Sequence, residues 1–188
     1  MKQVELLRYV VEQLEVLQLP YMIVGSFASA VYGDARYTRD IDIVVQLSVA
    51  DLDKLLAVFP EKDFYFSRPA AIEAIRTSRQ FNVIDPVGGS KIDFMVARRD
   101  DWGKVQISRR EQKKVLPDLM GYVARPEDVI LGKLIYHSQG DSEKHITDIQ
   151  GMFKESKHLL DMDYLADWAV KLAVSNTWQK ILASQKTS

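Results

Sequence analysis

The chain has 188 residues, 47% of them hydrophobic, so it can form one ample core, and a disordered chain is not expected. Its 25 basic and 26 acidic residues nearly cancel, which excludes a molecule built as a whole to bind nucleic acid through strong positive charge. The absence of cysteine excludes disulfides, thiol catalysis and cysteine-ligated zinc, and the cytoplasm is therefore the expected location.

The first quarter of the chain predicts two helices that alternate with two strands. Apolar residues recur at helical spacing over residues 4–17 and predict an amphipathic helix that ends before Pro20. Residues 21–24 form a short apolar run typical of a buried strand, and a small-residue helix is expected over 25–33. Alternating apolar residues over 40–47 then predict the second strand.

The middle of the chain predicts further helices and an antiparallel hairpin. Ser48 and Asp51 form a capping-box pattern at the start of a helix. Residues 63–66 are a weaker strand candidate, and the next helix has Pro69 in its first turn. Two strand-like runs within residues 81–97 are separated by a glycine-rich turn, which is typical of an antiparallel hairpin.

Beyond Pro126 the pattern becomes helical to the end of the chain, and acidic residues in the first turn mark where it begins. The fold class expected from these elements is α/β, with a mixed β-sheet flanked by helices and a helical C-terminal region. The division is expected between a region of residues 1–115 and a helical region of residues 116–188. No apolar run approaches the roughly 18 residues of a membrane span, so no membrane partner is expected.

Three aspartates stand inside runs that otherwise predict strands. Asp40 and Asp42 are two residues apart, so both side chains lie on one face of their strand, opposite the isoleucines between and after them. Asp93 stands in a second such run, and a neighbouring strand would lie about 4.8 Å away. Carboxylates this close repel one another unless a cation compensates them, and oxygen-rich sites suit Mg²⁺ or Mn²⁺. The three aspartates therefore predict a site for a divalent metal.

A metal of this kind predicts a phosphate site beside it, because Mg²⁺ usually takes one or two protein carboxylates together with substrate phosphates. Gly25 and Ser26 join a strand to the start of a helix, where free backbone N–H groups attract anions and glycine allows close approach. The alternative for this pair alone is an ordinary turn and helix cap.

The order and spacing of these features resemble a known superfamily. Polymerase-β-type nucleotidyltransferases have Gly-Gly or Gly-Ser, then Asp-x-Asp, then a third Asp on a nearby strand. This chain resembles that pattern in the stretch VGSFASAVYGDARYTRDIDIVV and in the later IDF. The pattern G-S-x-A-x4-G-x2-R-x-T-x-D-I-D most resembles the AbiEii-like branch, which includes nucleotidyltransferase toxins of toxin-antitoxin systems. RPEDVILGKL and HITDIQ also have counterparts there, so the resemblance covers residues 20–150 in pieces.

The resemblance implies that residues 1–115 form a nucleotidyltransferase catalytic core. By position, Gly25 and Ser26 would hold the phosphates of a nucleoside triphosphate, and Asp40 and Asp42 would bind the catalytic metals. Asp93 would complete the second metal site and help to deprotonate or orient the attacking hydroxyl. The activity implied is the transfer of a nucleoside monophosphate to an acceptor hydroxyl, with release of pyrophosphate.

Three further residues are candidates for binding the nucleotide. The resemblance implies that Lys133 contacts its phosphate or base and that Asp148 supports this lysine, although a snorkelling lysine at the edge of the core is an alternative. Arg36 is a candidate for phosphate binding, with pairing to Asp34 as the alternative. The three aspartates have an alternative too, in which they pair with basic neighbours such as Lys91.

The acceptor is the least constrained part of this hypothesis. The AbiEii-like reading predicts an RNA or tRNA end as acceptor and a cognate antitoxin as partner. Residues 98–114 carry seven basic and three acidic residues and could line a path for an RNA backbone, the alternative being a solvated charged face. Other readings are transfer to a small-molecule or protein hydroxyl, and a non-catalytic module that binds nucleotide or a partner.

Overall fold

The computed structural model describes residues 1–33, 38–140 and 142–185. The helices in these ranges are α1 (Gln3–Val16), α2 (Gly25–Val31), α3 (Val49–Ala57), α4 (Arg68–Thr77), α5 (Asp101–Arg109), α6 (Pro126–Gly140), α7 (Glu143–Ser156), α8 (Met162–Lys171) and α9 (Ser175–Gln185). The strands are β1 (Tyr21–Ile23), β2 (Asp40–Val45), β3 (Tyr65–Phe66), β4 (Gln80–Asp85), β5 (Ser90–Val96), β6 (Glu111–Leu116) and β7 (Leu119–Val123). In the part of the chain described, no helix has both the length and the apolar character needed to cross a membrane.

The strands of the described ranges form one mixed sheet in the order β3-β4-β5-β2-β1-β7-β6. Strand β2 is antiparallel to β1 and parallel to β5, and β1 is parallel to β7. The remaining pairs, β3–β4, β4–β5 and β6–β7, are antiparallel. The predicted α/β class with a mixed sheet and a helical C-terminal region is confirmed.

The sequence patterns of α1, β1 and α3 explain why these elements form. Five residues of the apolar stripe of α1 are buried: Leu6, Leu7, Val10, Val11 and Leu14. All of β1 is buried, as its unbroken apolar run predicts for a strand at the centre of a sheet. The capping box at the start of α3 is present. The Ser48 side chain accepts a hydrogen bond from the Asp51 backbone N–H, and the Asp51 carboxylate accepts one from the Ser48 backbone N–H.

One face of the sheet carries the hydrophobic core. Ile41 and Ile43 of β2 are fully buried on it, as is Phe94 of β5, the register partner of Ile43. Phe94 stacks on Phe81 of β4 at 5.3 Å between ring centroids. Phe59 packs edge-on against Phe94 at 6.1 Å and joins the end of α3 to this core. The opposite face of β2 and β5 carries the polar side chains of Asp40, Asp42, Lys91 and Asp93, followed by Val44 and Met95.

The structure adds elements that the sequence pattern did not predict. Residues 98–125 contain α5 and the β6–β7 hairpin, and the sequence pattern predicted no helix or strand there. Strand β6 lies at the edge of the sheet and carries charged side chains, so it lacks the apolar alternation of a buried strand. The strand expected at residues 63–66 is shorter, because only Tyr65–Phe66 pairs with β4. The division at 115/116 stays a prediction, and β7, which follows it, lies in the sheet.

A buried charged cluster attaches the C-terminal helices to α5. The Arg109 guanidinium contacts Glu127 Oε2 at 3.0 Å and Asp128 Oδ2 at 3.5 Å, and its carbon lies 3.6 Å from the centroid of the Tyr164 ring. The Tyr164 hydroxyl donates to Asp128 Oδ1 at 2.8 Å. Burial raises the pKa of Asp128 to about 6 even though Tyr164 and Arg109 lower it. The acidic residues that mark the start of α6 in the sequence thus join α5, α6 and α8.

Candidate active site

Polar side chains lie in a row on the face of the sheet opposite the core. Asp42 of β2 is the register partner of Asp93 of β5, and Asp93 is the register partner of Asn82 of β4. Residues paired in register lie side by side on the same face. Asp40, two residues before Asp42, shares this face, so the three predicted carboxylates lie on adjacent parallel strands.

The turn after β1 lies against one of these carboxylates. The backbone N–H of Val24 donates to the Asp42 carbonyl at 2.9 Å, which ends the β1–β2 ladder at this point. Gly25 follows with φ of +62°, and a Cβ atom at this position would lie 2.0 Å from Asp42 Oδ2. Glycine is therefore required twice here, for the left-handed backbone and for the space. The structure brings Gly25 and Asp42 together, as the sequence pattern anticipates.

The start of α2 faces the site without a side-chain cap. The N-cap residue is Val24, whose side chain cannot accept a hydrogen bond from the first turn. Ser26 is buried, and Ser29 donates to the Gly25 carbonyl at 3.0 Å within the helix. First-turn N–H groups that no side chain caps are suited to an anion.

Lys91 and Asn82 hold the third carboxylate in place. The Lys91 ammonium lies 2.8 Å from Asp93 Oδ2 and 3.8 Å from Asp40 Oδ1, while the Asn82 amide donates to Asp93 Oδ1. The pKa of Lys91 is raised, because the bond to Asp93 and the nearby carboxylates outweigh the effect of desolvation. The sequence suggested that a metal compensates these aspartates, and Lys91 itself supplies part of the compensation.

Asp42 is the carboxylate least compensated by protein cations. Burial, followed by the charges of Asp93 and Asp40, raises the pKa of Asp42 to about 6, although Lys133 and Lys91 lower it. A pKa raised in this way means that the ionised carboxylate lacks a counter-charge in the folded protein. An added cation beside Asp42 would favour its ionised form.

Lys133 and Asp148 form a buried pair between α6 and α7. The Lys133 ammonium lies 2.5 Å from Asp148 Oδ2, and the two side chains are 5% and 3% exposed. The structure therefore brings together the two residues that the resemblance linked. Lys133 also lies near enough to the carboxylates to lower the pKa of Asp42, so its ammonium belongs to the charge balance of the site.

No family model matches the chain, and no curated protein matches it by sequence. Solved structures do match. The chain has a nucleotidyltransferase fold. The antibiotic-resistance factor ANT(2'')-Ia matches over 98% of this chain and 95% of its own, at a TM-score of 0.61 and 12% identity.

Two further structures agree on the nucleotidyltransferase fold. ANT(2'')-Ia in complex with adenylyl-2''-tobramycin matches 91% of this chain and 97% of its own, at a TM-score of 0.62 and 15% identity. The lincosamide antibiotic adenylyltransferase LnuA, bound to lincomycin, matches 80% of this chain and 96% of its own, at 0.55 and 14%. The likeness therefore extends over nearly the whole length of these proteins.

The three carboxylates of the site are ligands that suit a hard divalent cation. Asp40, Asp42 and Asp93 supply only carboxylate oxygens, which Mg²⁺ and Mn²⁺ prefer, and the raised pKa of Asp42 marks a deficit of positive charge. In their present arrangement, however, no group of three or more acidic or histidine side chains among the described residues could hold a metal ion. Both side-chain oxygens of Asp93 contact protein groups, the Lys91 ammonium and the Asn82 amide.

The pKa of Asp42 leads to a prediction for metal binding. Because Asp42 takes up a proton as the pH falls through about 6, the proton competes with the cation at this carboxylate. We expect the affinity for Mn²⁺ to be level above pH 7 and to fall up to about tenfold per pH unit below 6. Titration calorimetry from pH 5 to 8 measures this, and an affinity that stays level down to pH 5 would contradict it.

The Lys133–Asp148 pair leads to a prediction for stability. Asp148→Asn is expected to lower the free energy of unfolding by about 3 to 5 kcal/mol, because it leaves a buried ammonium without this carboxylate. The double variant Lys133→Met with Asp148→Leu should recover most of this loss. Asp167→Asn breaks the exposed Lys171–Asp167 pair and serves as a control, with an expected change below about 1 kcal/mol. Urea unfolding of the wild type and the three variants measures these changes in the free energy of unfolding. It shows whether loss of the Asp148 carboxylate destabilises the protein or has no effect.

Three residues of the site were not predicted as functional: Asn82, Lys91 and Tyr136. Lys91 was named only as an alternative partner of the aspartates, and Asn82 could have been found by counting across the hairpin turn. Tyr136 lies one turn beyond Lys133 on α6, and its hydroxyl donates to the Met95 sulfur at 2.9 Å. Burial, then Asp42 and Asp93, raise the pKa of this hydroxyl, so α6 lies over the carboxylate face. Arg36, the remaining candidate, lies outside the described residues.

The basic segment 98–114 contacts the protein itself at most of its cations. Arg98 lies 2.5 Å from Asp100, Arg99 donates to the Ile75 carbonyl, Arg109 belongs to the buried cluster, Arg110 lies over the Tyr122 ring, and Lys113 pairs with Glu111. Trp102 of this segment is 3% exposed and packs on Trp168, so its ring is not available to stack on RNA bases. These contacts favour a structural role for much of the segment.

Proposed function

We propose that the protein transfers a nucleoside monophosphate from a nucleoside triphosphate to an acceptor hydroxyl. The observation that carries the proposal is the place of Asp42, which is in register with Asp93 on one side and in contact with Gly25 on the other. Carboxylates beside an uncapped helix start unite metal ligands with a phosphate site. The nucleotidyltransferase fold supports the same chemistry.

The residues take the following parts in this proposal. The backbone N–H groups at Gly25 and Ser26 hold the triphosphate, and Lys133, positioned by Asp148, neutralises phosphate charge. Asp40, Asp42 and Asp93 hold the divalent ion, Mg²⁺ or Mn²⁺. When bound, such an ion makes the α-phosphorus more electrophilic and neutralises the leaving pyrophosphate.

The reaction is an in-line displacement. The acceptor oxygen attacks the α-phosphorus, a new O–P bond forms, and the bond to the bridging oxygen of the β-phosphate breaks. The hydroxyl proton passes to Asp93, which also orients the attacking oxygen. Asn82 keeps this carboxylate turned toward the site by donating to Asp93 Oδ1. The products are the nucleotidylated acceptor and pyrophosphate.

For the acceptor, we propose a hydroxyl of a small molecule. Two structures with the same fold are bound to a nucleotidylated or unmodified antibiotic, tobramycin in ANT(2'')-Ia and lincomycin in LnuA, and they match this chain over almost their whole length. The contacts of Arg98, Arg109 and Lys113 with acidic side chains reduce the positive charge available to an RNA backbone. A small acceptor needs no such surface.

An RNA or tRNA end is the second candidate acceptor. It is favoured by the AbiEii-like pattern of glycines, arginine and aspartates over residues 25–42, and it would make the protein a toxin with a cognate antitoxin. Lys104 and Lys114 are exposed and remain on this surface. In both cases the reaction consumes a nucleoside triphosphate, so we place it in the cytoplasm.

The test is a transfer assay with labelled nucleoside triphosphates and Mg²⁺. Three acceptor pools are offered separately: total RNA, a panel of hydroxyl-rich small molecules that includes aminoglycosides and lincosamides, and cell protein. Label in the small-molecule pool supports the first candidate, and label in RNA supports the second. Label that appears equally with Asp42→Asn, or in no pool with any nucleotide, would overturn the proposed activity.

A further inference from the structure

The Lys91 ammonium lies among the carboxylates of the row. It lies between Asp93 and Asp40, at 2.8 Å and 3.8 Å, and the backbone of Lys91 is the register partner of Asp40. It stands two residues before Asp93, so both side chains lie on the same face of β5. The sequence thus places an ammonium within the group of side chains that would ligate the metal.

We propose, resting on the function proposed above, that Lys91 is a removable counter-ion which weakens the binding of a free divalent cation until a nucleoside triphosphate arrives. In the metal-free protein the ammonium neutralises Asp40 and Asp93. On binding of the metal–nucleotide complex it leaves Asp93, and the triphosphate supplies its new anionic partner. Lys91 is therefore a positioning residue that sets the order in which metal and nucleotide bind.

The exposure of the two side chains supports this exchange. Lys91 is 38% exposed, so its long side chain can move without breaking the core, whereas the Asp93 side chain is 10% exposed. Asp93 also keeps the amide of Asn82 on its other oxygen when the ammonium leaves. The carboxylate thus remains oriented, and only the lysine has to change its partner.

The charges of the site explain why nucleotide is needed for the exchange. A free dication must displace the ammonium, and the two cations repel each other at the short distances of this cluster. A metal–triphosphate complex is net negative, so it adds a partner for the displaced ammonium. The same argument predicts that without Lys91 the carboxylates bind a divalent ion with no nucleotide present.

The test measures binding of Mn²⁺ alone by titration calorimetry at pH 7.5, for the wild type and for Lys91→Met. We expect the variant to bind Mn²⁺ about tenfold more tightly, since a repelling charge a few ångströms away is removed and solvent weakens its effect. With a nonhydrolysable nucleoside triphosphate present, the difference should shrink below about threefold. In EDTA the variant should melt at a lower temperature than the wild type, and Mn²⁺ should reverse this.

Three further variants make the result specific. Lys104→Met removes the same charge from an exposed position on α5 and should bind Mn²⁺ as the wild type does. Lys91→Arg keeps the charge and should also bind weakly, while Lys91→Gln keeps a donor for Asp93 and replaces the methionine variant if that variant does not fold.

Equal Mn²⁺ affinity in the wild type and in the uncharged Lys91 variants would overturn the inference, as would an equal gain in Lys104→Met. Failure of the proposed function is a different result, namely no label transfer by the wild type to any acceptor. Tighter Mn²⁺ binding by the uncharged variants supports the counter-ion role whichever acceptor is found.

Discussion

Asp42→Asn is expected to lower nucleotidyl transfer about a thousandfold or more while the protein stays folded. The loss follows because this carboxylate is at the centre of the row, beside Gly25 and Asp93, and a bound metal contributes several kcal/mol of transition-state stabilisation. Single-turnover rates at saturating nucleotide measure the effect on the chemical step without interference from product release.

The same variant carries a second, opposite expectation for stability. The pKa of Asp42 is raised to about 6 in the folded protein, so its charge destabilises the fold at pH 7.5 relative to the unfolded chain. Removing the charge should therefore leave the melting temperature in EDTA unchanged or higher. Asp63→Asn, at an exposed position, is the control and should change neither rate nor melting temperature. An Asp42→Asn variant that is active, or that is inactive only because it unfolds, would contradict the assigned role.

Gly25→Ala is expected to lower activity about a hundredfold or more and the free energy of unfolding by about 1 to 3 kcal/mol. The new Cβ would lie 2.0 Å from Asp42 Oδ2, so the carboxylate must move, and misplacement by about 1 Å can cost two orders of magnitude in rate. The stability cost includes the left-handed backbone, which alanine adopts with strain.

Gly89→Ala separates these two causes. Gly89 also has positive φ, at +68°, but a Cβ there meets no atom within 4 Å. We expect a stability loss of about 1 kcal/mol from backbone strain and no loss of activity. If Gly25→Ala behaved like Gly89→Ala in steady-state kinetics, close contact between the turn and Asp42 would not matter for catalysis.

Much of this arrangement could be predicted from sequence because strands have a strict period. Because Asp40 and Asp42 are two residues apart, their side chains lie on one face of a strand. The glycine-rich turn predicts a hairpin, and one strand of this hairpin carries Asp93. The sequence could not specify that β2 and β5 are adjacent and in register at Asp42 and Asp93, and the structure supplies this. Pairing between distant strands depends on the packing of the whole sheet.

Other features could not be predicted, for physical reasons that differ between them. Strand β6 is charged and lies at an edge, so local patterning does not distinguish it from a loop. The partner of Lys91 depends on the rotamer of a long side chain with several carboxylates in reach. The buried pair of Arg109 with Glu127 joins residues 18 apart in the chain, and helix spacing alone does not bring them together.

Helix α6 links this buried cluster to the carboxylate row. Its first turn carries Glu127 and Asp128, and Lys133 follows five residues after Asp128, about 7.5 Å further along the helix axis. Because a helix moves largely as a rigid body, a change that loosens the grip of Tyr164 on Asp128 would also shift the Lys133 ammonium. Substitutions in the distant α8 can therefore weaken nucleotide affinity, and a screen for such defects should not stop at residues that touch the ligand.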